Sequence, residues 1–105
     1  KSEIFIIESF FNILRSGSGL TSHNHLNHFD ESHKLTDKKY SLTYYLSVGD
    51  QNCNEPGILK LFDPEIKILP SPGTIVIFPA GRQHSATYGG KTDRVMIGIN
   101  FYSLY

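Results

Sequence analysis

Four of the five histidines in this chain fall within eleven residues, at His23, His25, His28 and His33, while the fifth stands apart at His84. Side chains two apart on a strand point to the same face, so a strand through His23-Asn24-His25 presents two imidazoles in one direction. His28 and Asp30 form a second pair at the same spacing. Neutral imidazole and carboxylate together are the ligand set for divalent iron, manganese or zinc. Two histidines and one carboxylate on one face leave positions open for oxygen or a substrate. A further ligand has to come from elsewhere. His84 lies just after the reversal Pro79-Ala80-Gly81, where a barrel brings a distant strand beside the first. Taken alone, clustered histidines in a polar stretch fit surface or capping positions. The combination of H-x-H after a glycine turn, a carboxylate a few residues on and a lone His behind a Pro/Gly turn is what points to a metal.

Something must hold those residues in place, and composition says what kind of scaffold it is. The chain has 105 residues, enough for one hydrophobic core. Eleven Ile, seven Phe and six Tyr against two Ala favour β-branched and aromatic packing on pleated surfaces, an all-β domain. Ten Lys+Arg balance ten Asp+Glu, so no net field recruits nucleic acid or an anionic membrane. No apolar run approaches the length of a membrane span; Ile4-Phe5-Ile6-Ile7 is closed by Glu8. A single Cys53 in a polar stretch cannot form an internal disulfide, which fits a reducing compartment and a cytoplasmic location. The chain opens on Lys1 with neither a methionine nor a secretory n-region, which leaves open a fragment without N-terminal flanking elements.

Turn residues divide the chain into short stretches of period-2 alternation. Residues 4–15 fit both a strand pair and an amphipathic helix poorly, and lean to strand. Ser16-Gly17-Ser18-Gly19 is a flexible turn, Leu20 to Asp30 carries the histidines in a strand and the bend beyond it, and Glu31 to Lys39 reads as a polar loop. Further strands are expected over Tyr40–Val48, Gly57–Phe62, Ile66–Leu69, Thr74–Phe78, His84–Tyr88 and Arg94–Tyr102, with Gly89-Gly90 as a hairpin signal before the last. Seven or eight short strands at this spacing imply a closed or two-sheet β architecture.

The chain resembles the small iron(II)- and 2-oxoglutarate-dependent oxygenases, which have the double-stranded β-helix, or jelly-roll, fold. The resemblance rests on Ser22-His23-Asn24-His25, Ser41 to Leu46, Gly57-Ile58-Leu59-Lys60-Leu61-Phe62-Asp63-Pro64, Pro72-Gly73, Ile77-Phe78-Pro79, His84, Arg94 and Gly98-Ile99-Asn100-Phe101, and covers roughly residues 15–102. It implies that a His-x-carboxylate pair and a distal His hold iron. It also implies that an Arg about ten positions after the distal His anchors the far carboxylate of 2-oxoglutarate. Arg94 stands ten after His84, and its planar fork suits a carboxylate. Met96, Gly98 and Asn100 share the face of Arg94, and Asn100 is assigned with it to the cosubstrate. Tyr44, Tyr45 and Tyr88 stay unassigned between cosubstrate contact and core packing. The chain departs from the family pattern in one place: the usual Asp two residues after the first His is His25. The expected metal set is therefore His23, His25, Asp30 and His84, with His28 of the literal His28-x-Asp30 motif as substitute.

The runner-up resemblance is to the cupins. Gly17, His23-x-His25 and Asp30 follow their first motif with Asp for Glu, although its closing Gly is Asp37. Gly73, Pro79-x-Gly81 and His84 follow the second, whose terminal Asn is Tyr88. Both resemblances imply one barrel over residues 1–105; the cupin one implies metal or ligand binding without 2-oxoglutarate chemistry. The oxygenase resemblance implies iron(II) as cofactor, 2-oxoglutarate as cosubstrate and hydroxylation of a small molecule or a protein side chain. Barrels this short lean on flanking helices or a second subunit to cover exposed sheet, so a homodimer is an expected partner state.

Overall fold

The computed structural model describes residues 4–14 and 18–104; for most of the first two strands it describes the backbone alone. Eight strands run in the order β1 (Ile4–Leu14), β2 (Ser18–His23), β3 (Lys39–Ser47), β4 (Pro56–Leu61), β5 (Ile66–Ile68), β6 (Ile75–Pro79), β7 (His84–Tyr88) and β8 (Arg94–Ser103). They form two four-stranded antiparallel sheets, β1-β8-β3-β6 and β2-β7-β4-β5. This is the expected double-stranded β-helix. The chain crosses from one sheet to the other at nearly every connection, and β4 to β5 is the one hairpin among the described residues. Gly89-Gly90 is therefore not a hairpin turn: it lies between β7 and β8, which belong to different sheets. Its glycines serve a different end, because a Cβ at Gly90 would collide with the Tyr88 ring and the Asp50 carbonyl.

Alternation sets the interior. Along β8 the residues Arg94, Met96, Gly98 and Asn100 are buried and their neighbours half-buried. Leu59, Leu61 and Phe78 pack as one apolar cluster, Tyr45, Val48 and Met96 as another, and Val76 touches both. Beside these clusters and the buried Ala80 and Tyr88, six polar or charged residues are buried among the described residues: Asp30, Lys39, Ser41, His84, Arg94 and Asn100. A barrel wall that buries a histidine, an arginine and an amide is arranged for something other than packing.

The polar loop expected over Glu31 to Lys39 is shorter than that, because a helical turn takes its first two residues and β3 its last. Residues His28–Ser32 form a short helix, α1. Its N-cap Asn27 accepts a hydrogen bond from the Asp30 N–H at 3.0 Å, while the Asp30 carboxylate accepts from the Asn27 N–H at 2.9 Å, a reciprocal capping box. This corrects the strand-type pairing of His28 with Asp30: on a helix, residues two apart are separated by about 200° and face apart. His28 is exposed and meets Ser32, and the exposed His33 stacks on Phe29. No helix among the described residues is long and apolar enough to cross a membrane.

Candidate functional site

β2 and β7 pair in antiparallel register with His23 opposite His84, so the sequence-distant histidine does return beside the first cluster. The side chain of His23 lies outside the described residues. His25, two residues past the strand end, is held by its backbone: its N–H donates to the Ala80 carbonyl at 2.8 Å and its own carbonyl accepts from Lys39 Nζ at 2.8 Å. The reversal after β6 thus grips the loop after β2. Nε2 of His25 and Nε2 of His84 stand 3.1 Å apart, with the rings stacked at 4.8 Å. Nδ1 of His84 lies 3.2 Å from the Arg82 carbonyl. A carbonyl only accepts, so that nitrogen carries the proton and Nε2 presents a lone pair, the orientation of a metal-binding imidazole. Phe78 packs against the His84 ring and walls it from below.

Asp30 is elsewhere. It is fully buried, and both oxygens are engaged: Oδ1 accepts from the Tyr102 hydroxyl at 2.5 Å, and Oδ2 from Lys39 Nζ at 2.9 Å and from the Asn27 N–H. Burial pushes this carboxyl up, but the hydrogen bonds of Tyr102, Lys39 and Asn27 outweigh it and hold it below its ordinary 3.8. The partner Tyr102, by burial and by its bond to the carboxylate, is pushed up to about 12.

At the other end of β7, Arg94 is 1% exposed. Its Nη1 donates to the Gly57 carbonyl at 2.8 Å, and its guanidinium lies 5.2 Å from the Tyr45 ring centre and 5.3 Å from that of Tyr88. Nε and Nη2 are buried without a hydrogen-bond partner. Two adjacent donors of one guanidinium edge left unmatched in a barrel interior are the complement of a carboxylate's two oxygens. Burial lowers the Arg94 pKa, and the neighbouring tyrosines oppose that shift. Gly57 makes the arrangement possible: its φ is +85°, and a Cβ there would fall inside the guanidinium. Tyr88 is fixed in turn, since its hydroxyl donates to the Thr92 carbonyl and accepts from the Asp50 N–H at 2.8 Å. Asn100 is buried on the Arg94 face, with Oδ1 accepting from Ser41 Oγ at 2.7 Å.

Sequence reasoning missed Gly57 and Lys39 as determinants of the site. Nothing local marks either one, although the spacing Asn27-x-x-Asp30 is a legible capping signal. His84 and Tyr88 both face inward on β7, roughly 13 Å apart along the strand, so the histidines and the arginine look into one interior from its two ends. A cleft of about 290 Å³ lined by Lys60, Lys67, Ser85 and Thr87 lies on the outer face of the same sheet and does not reach this interior.

A family model described as the 2OG-Fe(II) oxygenase superfamily matches residues 11–102. Among solved structures, an oxidoreductase of the 2OG-Fe(II) oxygenase family from Burkholderia pseudomallei superposes with a TM-score of 0.71 at 16% identity, over 95% of this chain and 44% of that one. A prolyl-4-hydroxylase from Pseudomonas putida gives 0.68 at 22% identity, over 90% and 50%. A cupin protein from Bacteroides fragilis gives 0.58 at 14% identity, over 90% and 64%. At these identities the likeness is one of fold. The chain spans about half the length of the two oxygenase-family structures. No curated protein matches in sequence.

Proposed function

Because the chain belongs to the 2OG-Fe(II) oxygenase superfamily, whose model spans residues 11–102, we propose that it is an iron(II)- and 2-oxoglutarate-dependent oxygenase acting on a small molecule or a protein side chain. The single observation that carries this reading is Arg94, a buried cation with two unmatched donors facing the barrel interior. Structural arginines are neutralised by an acid or have their donors satisfied; this one has neither among the described residues. A ligand carboxylate meets both needs.

The residues fit the two groups that the family implies. His25 and His84 supply two imidazole nitrogens at 3.1 Å from each other, and His23 stands in register opposite His84. The two Nε2 atoms face each other, so these imidazoles would hold the ion between them. With iron(II) and 2-oxoglutarate bound, the site supplies oxidation of a substrate C–H bond to an alcohol by O2, with 2-oxoglutarate decarboxylated to succinate. Around that chemistry the chain itself binds and orients. Arg94 donates through Nε and Nη2 to the far carboxylate of the cosubstrate. Tyr45 and Tyr88 close over the guanidinium and exclude water from the ion pair, which strengthens it. The missing side chain of Gly98 leaves room on the same face, and Asn100, oriented by Ser41, is assigned to the cosubstrate side. His84, its Nδ1 directed at the Arg82 carbonyl, turns Nε2 toward Nε2 of His25, where an ion would meet both. A cytoplasmic setting suits both iron(II) and the free Cys53.

Anaerobic addition of iron(II) and 2-oxoglutarate is expected to produce a visible charge-transfer band. Arg94→Lys keeps the charge but loses the fork, so its 2-oxoglutarate affinity should fall about ten- to a hundredfold, the worth of one charge-assisted hydrogen bond. A band that saturates unchanged in Arg94→Ala removes the clamp. No band in the native chain at saturating ligand removes the oxygenase reading and leaves metal binding of the cupin type, which the H-x-H at His23 and His25 favours.

A further inference from the structure

The outer face of the β2-β7-β4-β5 sheet carries a charge pattern that packing does not explain. Leu59 and Leu61 are buried, so Lys60 between them points outward, and it is exposed. β5 sets the exposed Lys67 directly opposite Lys60, and β7 sets Ser85 opposite it on the other side. Lys67, Lys60 and Ser85 therefore form one row across three strands. Side chains directly opposite on an antiparallel pair have Cβ atoms about 4.5–5.5 Å apart, and like charges so placed repel. Neither ammonium has an ion pair or a side-chain hydrogen bond among the described residues. Both lysines also face a concavity, the cleft of about 290 Å³ on this face, which stands near the lower end of the about 300–1,000 Å³ common for small-molecule sites. A bulge shapes it. The β4–β7 register shifts between Pro56 and Leu59, where Gly57 turns its carbonyl inward to Arg94 while Pro56 and Ile58 on either side of it line the cleft. The end away from the lysines is closed by Asn54 and Glu55, and Glu55 is fixed through its carbonyl, which accepts from the Gly89 N–H at 2.8 Å.

We propose that this cleft is a second binding site, separate from the barrel interior, for the phosphate monoester of a small polyol. A phosphate monoester carries about 1.5 to 2 negative charges at neutral pH, which a pair of ammonium groups balances. Seated between Lys60 and Lys67, it turns a repulsive pair into an attractive triad, and the Ser85 hydroxyl donates to a further oxygen. Glu55 sets the limit on the rest of the ligand. Its carboxylate disfavours a second anionic group at that end and accepts from a hydroxyl, with Thr87 and Asn54 as further polar partners. A neutral hydroxylated tail fits this wall; a diphosphate or a polyanionic strand does not.

Ribose 5-phosphate and inorganic phosphate serve as the probes, titrated into the native chain at about 0.15 M ionic strength and followed by the backbone amide signals in two-dimensional NMR. Ribose 5-phosphate should give saturable shifts centred on Lys60, Lys67, Ser85 and Thr87. Lys60→Met and Lys67→Met should each weaken it at least ~10-fold, the worth of one hydrogen bond to a charged group. Lys38→Met, which removes an exposed lysine outside the cleft, should leave the affinity unchanged. Inorganic phosphate should bind through the same lysines but more weakly, and Thr87→Val should weaken the ester alone. Equal affinities for the two probes would refute the polyol assignment. Shifts spread over the whole surface, or an equal loss in Lys38→Met, would refute the site. Melting temperatures give a second reading. Without ligand, Lys67→Met should melt above the native chain, since it relieves the repulsion; with saturating ribose 5-phosphate the order should reverse. An unliganded Lys67→Met that melts below the native chain would show that the pair is not held in repulsion and would overturn the inference.

Discussion

Two glycines with nearly the same backbone conformation allow the Arg94 geometry to be weighed separately from backbone strain. Gly57 has φ +85° and Gly73 has φ +88°. A Cβ at Gly73 meets nothing within 4 Å, whereas one at Gly57 overlaps the Arg94 guanidinium. Gly73→Ala should therefore cost the left-handed backbone penalty alone, about 1–2 kcal/mol. Gly57→Ala carries that same penalty and also drives Arg94 off the Gly57 carbonyl, a hydrogen bond from a charged donor worth about 1.5–3 kcal/mol. The sum is about 2.5–5 kcal/mol, a large part of the 5–15 kcal/mol typical of a domain. Guanidinium chloride unfolding of the native chain and both alanine variants, with m-values checked for constancy, reads the difference directly. The variants should differ by about 1.5–3 kcal/mol, and Gly57→Ala alone should weaken the 2-oxoglutarate charge-transfer band. Equal destabilisation within ~0.5 kcal/mol, the usual error of such additivity arguments, would show that Arg94 is not pinned where the structure has it and would refute the reasoning.

The Asp30–Tyr102 pair gives stability a limit at each end of the pH scale. The folded pKa of Asp30 lies below its ordinary 3.8, so the stability it contributes is present above that value and is lost as pH falls through the folded pKa. Tyr102 is raised from 10.0 to about 12, so its contribution is complete below pH 10 and is lost as pH rises toward 12. Denaturation midpoints across this range should show both losses, and Tyr102→Phe should abolish the alkaline one while lowering stability at neutral pH. Tyr88→Phe removes the hydroxyl that bonds Thr92 and Asp50. It should cost about 1–3 kcal/mol, from the stranded Asp50 N–H, and loosen the ring over Arg94, seen as a weaker response to 2-oxoglutarate.

Periodicity made most of the scaffold legible. The strand read from His84 to Tyr88 appears with those bounds, and the one read from Arg94 to Tyr102 extends by a single residue, because alternation of buried and half-buried positions is a local property that survives into the fold. α1 was hidden by its length: a single turn has no period, and its start was marked by Asn27 and Asp30 alone. Gly89-Gly90 misled for a related reason. Glycines permit a hairpin and a crossover alike, and only strand pairing distinguishes them.

The sequence by itself determined an all-β barrel, the separation of His84 from its cluster and the ten-residue step from His84 to Arg94, since each is a matter of composition or of spacing along one chain. The tertiary structure decided which groups meet. It set His25 against His84, placed Gly57 beneath Arg94 and gave Asp30 to Lys39 and Tyr102. These contacts join residues 59, 37, 9 and 72 positions apart. Which donor a buried carboxylate or guanidinium finds depends on sheet register and crossovers, and no window of sequence contains that information.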